Sequence, residues 1–185
     1  MSKYFRKIVG EKCYLSPVNP EDFEEYTEWL NDPEIYENLQ VQPSIISLYK
    51  EKDILEKMAK SNDTVFAIVD LKENKLIGNC GLHNVDSINQ TATLGIFIGD
   101  KEYLSKGYGT EAIKLLLNYG FRFLNLQNIM LEVFSYNKRA IKSYKKAGFK
   151  EIGVRRKAKF FKNERFDILF MDILKEEFLN LKGES

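Results

Sequence analysis

This sequence predicts an α/β fold, with a mixed, largely antiparallel central sheet of about six to seven strands flanked by helices on both faces. Three observations predict it. Runs rich in β-branched and aromatic residues follow one another with no helical pattern between them from Thr64 to Gly99. A helix, a strand and a second helix then alternate between Lys106 and Gly148. Two further strand patterns close the chain, so meander and crossover connections are mixed in one sheet.

A strand opens the chain near residue 12. In "NPEDFEEYTEWLND" Asn19 is a good N-cap, Pro20 stands at the first helical position, and Phe23, Tyr26, Trp29 and Leu30 share one face. Ser47 to Ala59 repeats the helical period more weakly. "TVFAIVD" and "KLIGNCGLHNV" flank the turn "KENK" and read as a hairpin over Thr64–Val85. "TATLGIFIG" is a third strand, whose Gly95 and Gly99 suit a bulge or the close approach of another chain. The next helix puts Ile113, Leu116, Leu117, Phe121 and Leu124 on one face. "IMLEVF" is a strand, and "NKRAIKSYKKAG" a helix held by Asn137 at its start and Gly148 at its end. Two strands joined at Lys162-Asn163 and a short helix follow. The expected organisation is one domain over 1–185: an N-terminal strand and helices at 12–62, a sheet core at 64–149, and C-terminal strands and helix at 150–185.

Hydrophobic residues at 44% and charged residues at 30% exclude a disordered or fibrous chain. The longest apolar runs fall far short of the ~18 residues of a membrane span. The opening "MSKYFRKIVGEKCYLSP" carries no apolar core of signal-peptide length, so the expected compartment is the cytoplasm. Cys13 and Cys80 have no metal or redox spacing, and no metal is expected. The net charge of +1 hides a split: twelve Lys or Arg face two Glu between Asn137 and Arg165, while residues 21–37 hold eight acids and no base. Each run suits a solvated face. Alternatively, one end of the molecule suits an anionic ligand and the other a cationic one.

Lys106-Gly107-Tyr108-Gly109 runs directly into a helix. The G-x-G-x-x-A pattern from Gly107 to Ala112, with Glu132 on a later strand, would by itself be a dinucleotide fingerprint. That motif opens a sheet of parallel strands, whereas three strands precede this one and a single αβ unit follows. A nucleoside-triphosphate loop needs Lys-Ser/Thr after the second glycine, which is missing. A tight turn with no ligand is the third reading. The surroundings decide. "LGIFIGDKEYLSKGYGTEA" with "VFSYNKRAIKSYKKAGF" resembles the GNAT superfamily of N-acetyltransferases, and within it the branch of the ribosomal-protein N-terminal acetyltransferases. Asn137, Ala140, Tyr144, Gly148 and Phe149 match that family's N-x-x-A, tyrosine and G-F pattern. Leu104 departs from it, standing where the glycine turn usually opens on Arg or Gln.

The resemblance implies acetyl transfer from acetyl-coenzyme A (acetyl-CoA). The turn formed by Ser105, Lys106, Gly107, Tyr108, Gly109 and Thr110 would hold the pyrophosphate, since a helix N-terminus offers free N–H groups and a positive dipole end. A Cβ at either glycine would hold phosphate oxygens away. The pantetheine arm would pair like an added strand with Ile96, Phe97 and Ile98, and an N–H near Phe97 or Ile98 would polarise the thioester carbonyl. Asn137 would cap its helix and donate to pantetheine, beside Ala140. Tyr144 would hydrogen-bond or protonate the departing sulfur, because a thiol of pKa ~8.5 and a phenol of ~10 are close in acidity. Simple packing is the plain alternative for Tyr144, Ile96 and Ile98.

The base is less defined. The third strand offers no carboxylate near Thr93, so a water chain is the first expectation, with His83 and Glu132 as side-chain candidates. Cys80 and His83 are three apart on one strand and face opposite sides, which speaks against a covalent acyl-enzyme. The partner implied is an amine-bearing acceptor, cationic if the acidic segment steers it. A homodimer is allowed for, and neither nucleic acid nor membrane is expected. Two other functions compete: a catalytically silent coenzyme-binding domain, and a nucleic-acid module built on "RRKAKFFKNER", which lacks a reading motif.

Overall fold

The computed structural model describes residues 3–40, 44–61, 64–181 and 183. Its strands are β1 (Ile8–Val9), β2 (Cys13–Pro17), β3 (Thr64–Asp70), β4 (Leu76–Asp86), β5 (Thr91–Ile98), β6 (Asn128–Phe134), β7 (Lys150–Phe161) and β8 (Glu164–Leu174). Its helices are α1 (Phe23–Asn31), α2 (Pro33–Tyr36), α3 (Leu48–Lys60), α4 (Tyr108–Arg122), α5 (Lys138–Ala147) and α6 (Lys175–Leu181). The strands hydrogen-bond in the order β1-β2-β3-β4-β5-β6-β8-β7. β5 and β6 pair in parallel, whereas β1–β2, β2–β3, β6–β8 and β7–β8 are antiparallel. This is the mixed sheet that the sequence predicts, with an eighth strand. The additional β1 is two residues long, too short to carry a period-two pattern.

Local chemistry sets most boundaries. Asn19 Oδ1 accepts from the Glu21 N–H, but the turn it opens is a 3₁₀ turn over Pro20–Asp22, and α1 begins only at Phe23. Ser47 caps α3 by accepting from the Lys50 N–H. Lys162 and Asn163, with φ of +47° and +63°, form the left-handed pair that a two-residue hairpin turn needs. Leu124 falls beyond the end of α4 and is half-buried; Leu126 is fully buried instead.

The chain divides into two compact units, 1–81 with 96–115 and 82–95 with 116–185, so that β4, β5 and α4 each contribute to both. In the first, Tyr26 of α1 and Leu55 of α3 are buried with Tyr4, Tyr14, Ala67, Val69 and Leu76. Burying a side chain such as Leu55 contributes roughly 1.5–3 kcal/mol. In the second, α4 comes down on the sheet at Gly120, where a Cβ would stand 2.8 Å from Ile129 and 3.0 Å from Leu82. Phe121 of α4 meets Phe178 of α6 at 5.4 Å between ring centres. Phe134, Tyr136 and Phe161 stack in a column at 5.4 and 5.1 Å, with Lys159 over Phe134 and Lys162 over Phe161. The ring of Phe161, from the basic stretch considered for nucleic acid, is thus engaged by Tyr136, just beyond β6, and by Lys162 of its own hairpin turn. Among the described residues, no helix is long and apolar enough to cross a membrane.

Candidate active site

In the first unit, β5 leads through Asp100 into a 3₁₀ turn, Lys101–Tyr103, and then into the glycine turn. Asp100 fixes that entry by accepting from the Glu102 N–H at 2.9 Å. Ser105 and Gly107 both adopt left-handed backbone, φ +60° and +92°, and this reverses the chain so that α4 starts at Tyr108. The first intrahelical bond runs from Glu111 N–H to the Gly107 carbonyl at 3.0 Å. The N–H groups of Tyr108, Gly109 and Thr110 precede it and have no acceptor within the helix.

The glycines differ in what they make room for. A Cβ on Gly10, Gly78 or Gly99 would approach within 2.1 to 2.2 Å of Glu111, Phe97 or Trp29, so packing inside the protein demands them. A Cβ on Gly107 would meet nothing nearer than Lys12 at 3.9 Å, and one on Gly109 nothing nearer than Ile98 at 3.7 Å. Gly107 is required by its positive φ. Gly109 is the second residue of α4, and a helix prefers alanine to glycine. Neither conformation nor internal packing asks for it. A bare helix mouth that the protein leaves unfilled fits a bound phosphate.

The end of β5 departs from a regular ladder. Gly99 and Asp100 N–H groups both donate to the Ile77 carbonyl, at 2.9 and 3.2 Å, which is a bulge at the strand's exit. Phe97 meets Tyr26 and Trp29 edge-on at 6.0 and 6.2 Å, and Ile98 approaches the start of α4. Ile96, Phe97 and Ile98 remain half-buried although their strand lies in the middle of the sheet.

Two residues beside the turn went unremarked in the sequence. Glu111 Oε1 accepts from the backbone N–H of Lys12 at 2.8 Å and of Cys13 at 3.3 Å. Lys12 then lies along the turn, its ammonium donating to the Lys106 carbonyl at 3.1 Å and standing 5.8 Å over the Tyr108 ring. Tyr108 is fixed in turn by donating to Asp70 at 2.7 Å. Only the acid in the first turn of the "GTEA" helix start could have hinted at Glu111, and nothing local marks Lys12.

In the second unit, Asn137, Ala140 and Tyr144 share α5. Asn137 Oδ1 accepts from the Ala140 N–H at 3.1 Å, which leaves its amide NH₂ as a donor. Gly148 ends the helix at φ +107°. Tyr144 is buried, 6.0 Å edge-on to Phe149, and burial pushes its phenol up to about 12. His83 is exposed on β4 over Gly95, whose Cβ would be 3.1 Å from Nε2. Glu132 is exposed on β6. Both cysteines are buried, and burial pushes the Cys13 thiol up to about 12, so neither has the setting of a nucleophile.

The acidic segment is less free than its sequence suggests. Asp22 is buried, 2.6 Å from Lys3 and accepting from Tyr4 at 3.0 Å; Glu25 lies 3.5 Å from Lys3. Lys101 pairs with Asp32 and Glu34 at 2.7 and 3.2 Å. Glu21, Glu24 and Glu28 are exposed.

A family model described as an acetyltransferase (GNAT) domain matches residues 12–150. The chain is 26% identical over 175 residues to p20 of Bacillus licheniformis, named an uncharacterized N-acetyltransferase, covering 92% of this chain and 97% of that one. It is 33% identical over 138 residues to the spermidine N(1)-acetyltransferase of Vibrio cholerae, covering 71% and 78%. It is also 30% identical over 107 residues to YdaF of Bacillus subtilis, provisionally named a ribosomal N-acetyltransferase, covering 58% of each. The crystal structure of the Vibrio cholerae spermidine N-acetyltransferase with CoA and spermine superposes with a TM-score of 0.83 at 26% identity, covering 92% of this chain and all of that one. With the glycine turn, the capped α5 and the mixed sheet all in place, this chain belongs to the GNAT family of N-acetyltransferases.

Proposed function

We propose that this enzyme moves an acetyl group from acetyl-CoA to a primary amine by direct attack in a ternary complex. The observation that carries the reading is Gly109, a helical glycine with room for a Cβ inside the protein and no conformational need to be glycine. Ser105 to Thr110 bind the pyrophosphate through backbone N–H groups. Ile96, Phe97 and Ile98 present backbone to the pantetheine arm, and the Asn137 amide donates to it. Acetyl-CoA supplies the acyl carbon, activated as a thioester.

The chain's own groups manage charge and protons. An N–H near Phe97 or Ile98 polarises the carbonyl. A phenol held at about 12 lies ~3.5 units above an ordinary thiol, so Tyr144 keeps its proton and stabilises the leaving sulfur as a hydrogen-bond donor. The incoming amine loses its proton to water, with exposed His83 as the side-chain alternative and Glu132 a weaker one.

The acceptor we favour carries more than one positive charge. Exposed Glu21, Glu24 and Glu28 on and before α1 support this, as does the likeness to an enzyme named for spermidine. A panel of neutral, acidic and polycationic amines, with thiol release as readout, tests the whole reading. Polyamines should give the highest kcat/KM, and that value should fall as salt rises to physiological strength, where screening shortens to about 8 Å. Coenzyme binding without thiol release for any amine would refute acetyl transfer; a neutral favourite or a flat salt response would refute only the cationic acceptor.

A further inference from the structure

We infer that Lys12, on the loop between β1 and β2, is a phosphate-binding residue of the coenzyme site. The inference rests on the reading that the turn before α4 takes the pyrophosphate. A helix N-terminus attracts an anion with about half a positive charge, and a carboxylate in the first turn works against it. α4 carries such an acid, Glu111. The β1–β2 loop resolves the conflict in two ways. Its Lys12 and Cys13 N–H groups take up Glu111 Oε1 at 2.8 and 3.3 Å, turning that charge back toward the loop. Gly10 permits the approach, since a Cβ there would come within 2.1 Å of the same oxygen. The same anchoring sets the Lys12 side chain along the turn, its ammonium 3.1 Å from the Lys106 carbonyl and 3.9 Å from where a Gly107 Cβ would stand.

Among the described residues, that ammonium meets a carbonyl and the Tyr108 ring, neither of them anionic. An ammonium has three donors, and the carbonyl uses one. A full positive charge with spare donors therefore stands at the helix mouth, on a chain where Leu104 brings none to the turn. The same contacts would arise if Lys12 merely tied down the loop, and the test must separate the two. Because Glu111 binds the backbone of residue 12, any side chain there keeps the anchor.

The experiment is calorimetric titration of wild type, Lys12→Met and Lys12→Arg with acetyl-CoA and with S-acetylpantetheine, which lacks the pyrophosphate. Lys12→Met should weaken acetyl-CoA binding about tenfold, or about 1.4 kcal/mol, leave S-acetylpantetheine unchanged, and keep the melting temperature; Lys12→Arg should bind nearly as wild type. Equal affinity of Lys12→Met and wild type for acetyl-CoA would overturn the inference, as would equal loss of both ligands. Wild type that fails to bind acetyl-CoA would instead bring down the site itself, and the inference with it.

Discussion

Tyr144 carries the most specific chemical claim at the scale of single residues. Burial alone raises its phenol, so the neutral form is the one the fold prefers. The sign follows directly. The preference is fully present below the unfolded value of ~10 and is lost as pH rises from there toward about 12. The rate should therefore climb with pH as the amine deprotonates, and show no decline from Tyr144 below about pH 10. Tyr144→Phe should bind acetyl-CoA as wild type does and lose roughly 10²-fold in kcat, the usual scale for removing one hydrogen-bond donor to developing negative charge. Full turnover in that variant would reduce the tyrosine to packing against Phe149.

At the scale of elements, α5 performs two jobs with one side chain. Asn137 caps the helix through its oxygen, and its amide is the proposed donor to pantetheine. Aspartate can do the first and not the second. Asn137→Ala should lose the cap, about 1 kcal/mol, seen as a fall in melting temperature of about 2–4 °C for a chain of this size, and also weaken coenzyme binding. Asn137→Asp should melt near wild type and still bind acetyl-CoA more weakly; binding equal to wild type would remove the amide from the site. This helix was legible in the sequence because both of its ends are written in local chemistry, an Asn side chain and a left-handed glycine. Other signals were ambiguous for physical reasons. Asn19 and Pro20 mark a start equally well for a 3₁₀ turn and an α-helix, since both need the same first N–H acceptor. Leu124 fitted the helical period, yet α4 had already ended, and termination is decided by the chain beyond it.

For the molecule as a whole, what the sequence could not reveal is long-range pairing. Eight acids in 21–37 looked like an uncommitted negative surface, but Lys3 and Lys101, from outside the segment, already take up four of them. Trp29 looked like one more residue of an amphipathic face, and its indole proves to be the reason for Gly99. Lys12 and Glu111, 99 positions apart, form a contact that no periodicity encodes. The two glycines of the turn, by contrast, were visible from the first reading, and the structure separates their reasons. Gly107 is bound to its conformation; Gly109 is free of both conformation and packing. Gly109→Ala is therefore the most direct measurement of the central claim that this helix mouth holds the coenzyme's pyrophosphate. Alanine should leave the melting temperature unchanged or raise it, while weakening acetyl-CoA binding in calorimetry at least about tenfold. A protein at least as stable that binds acetyl-CoA as tightly as wild type would contradict it.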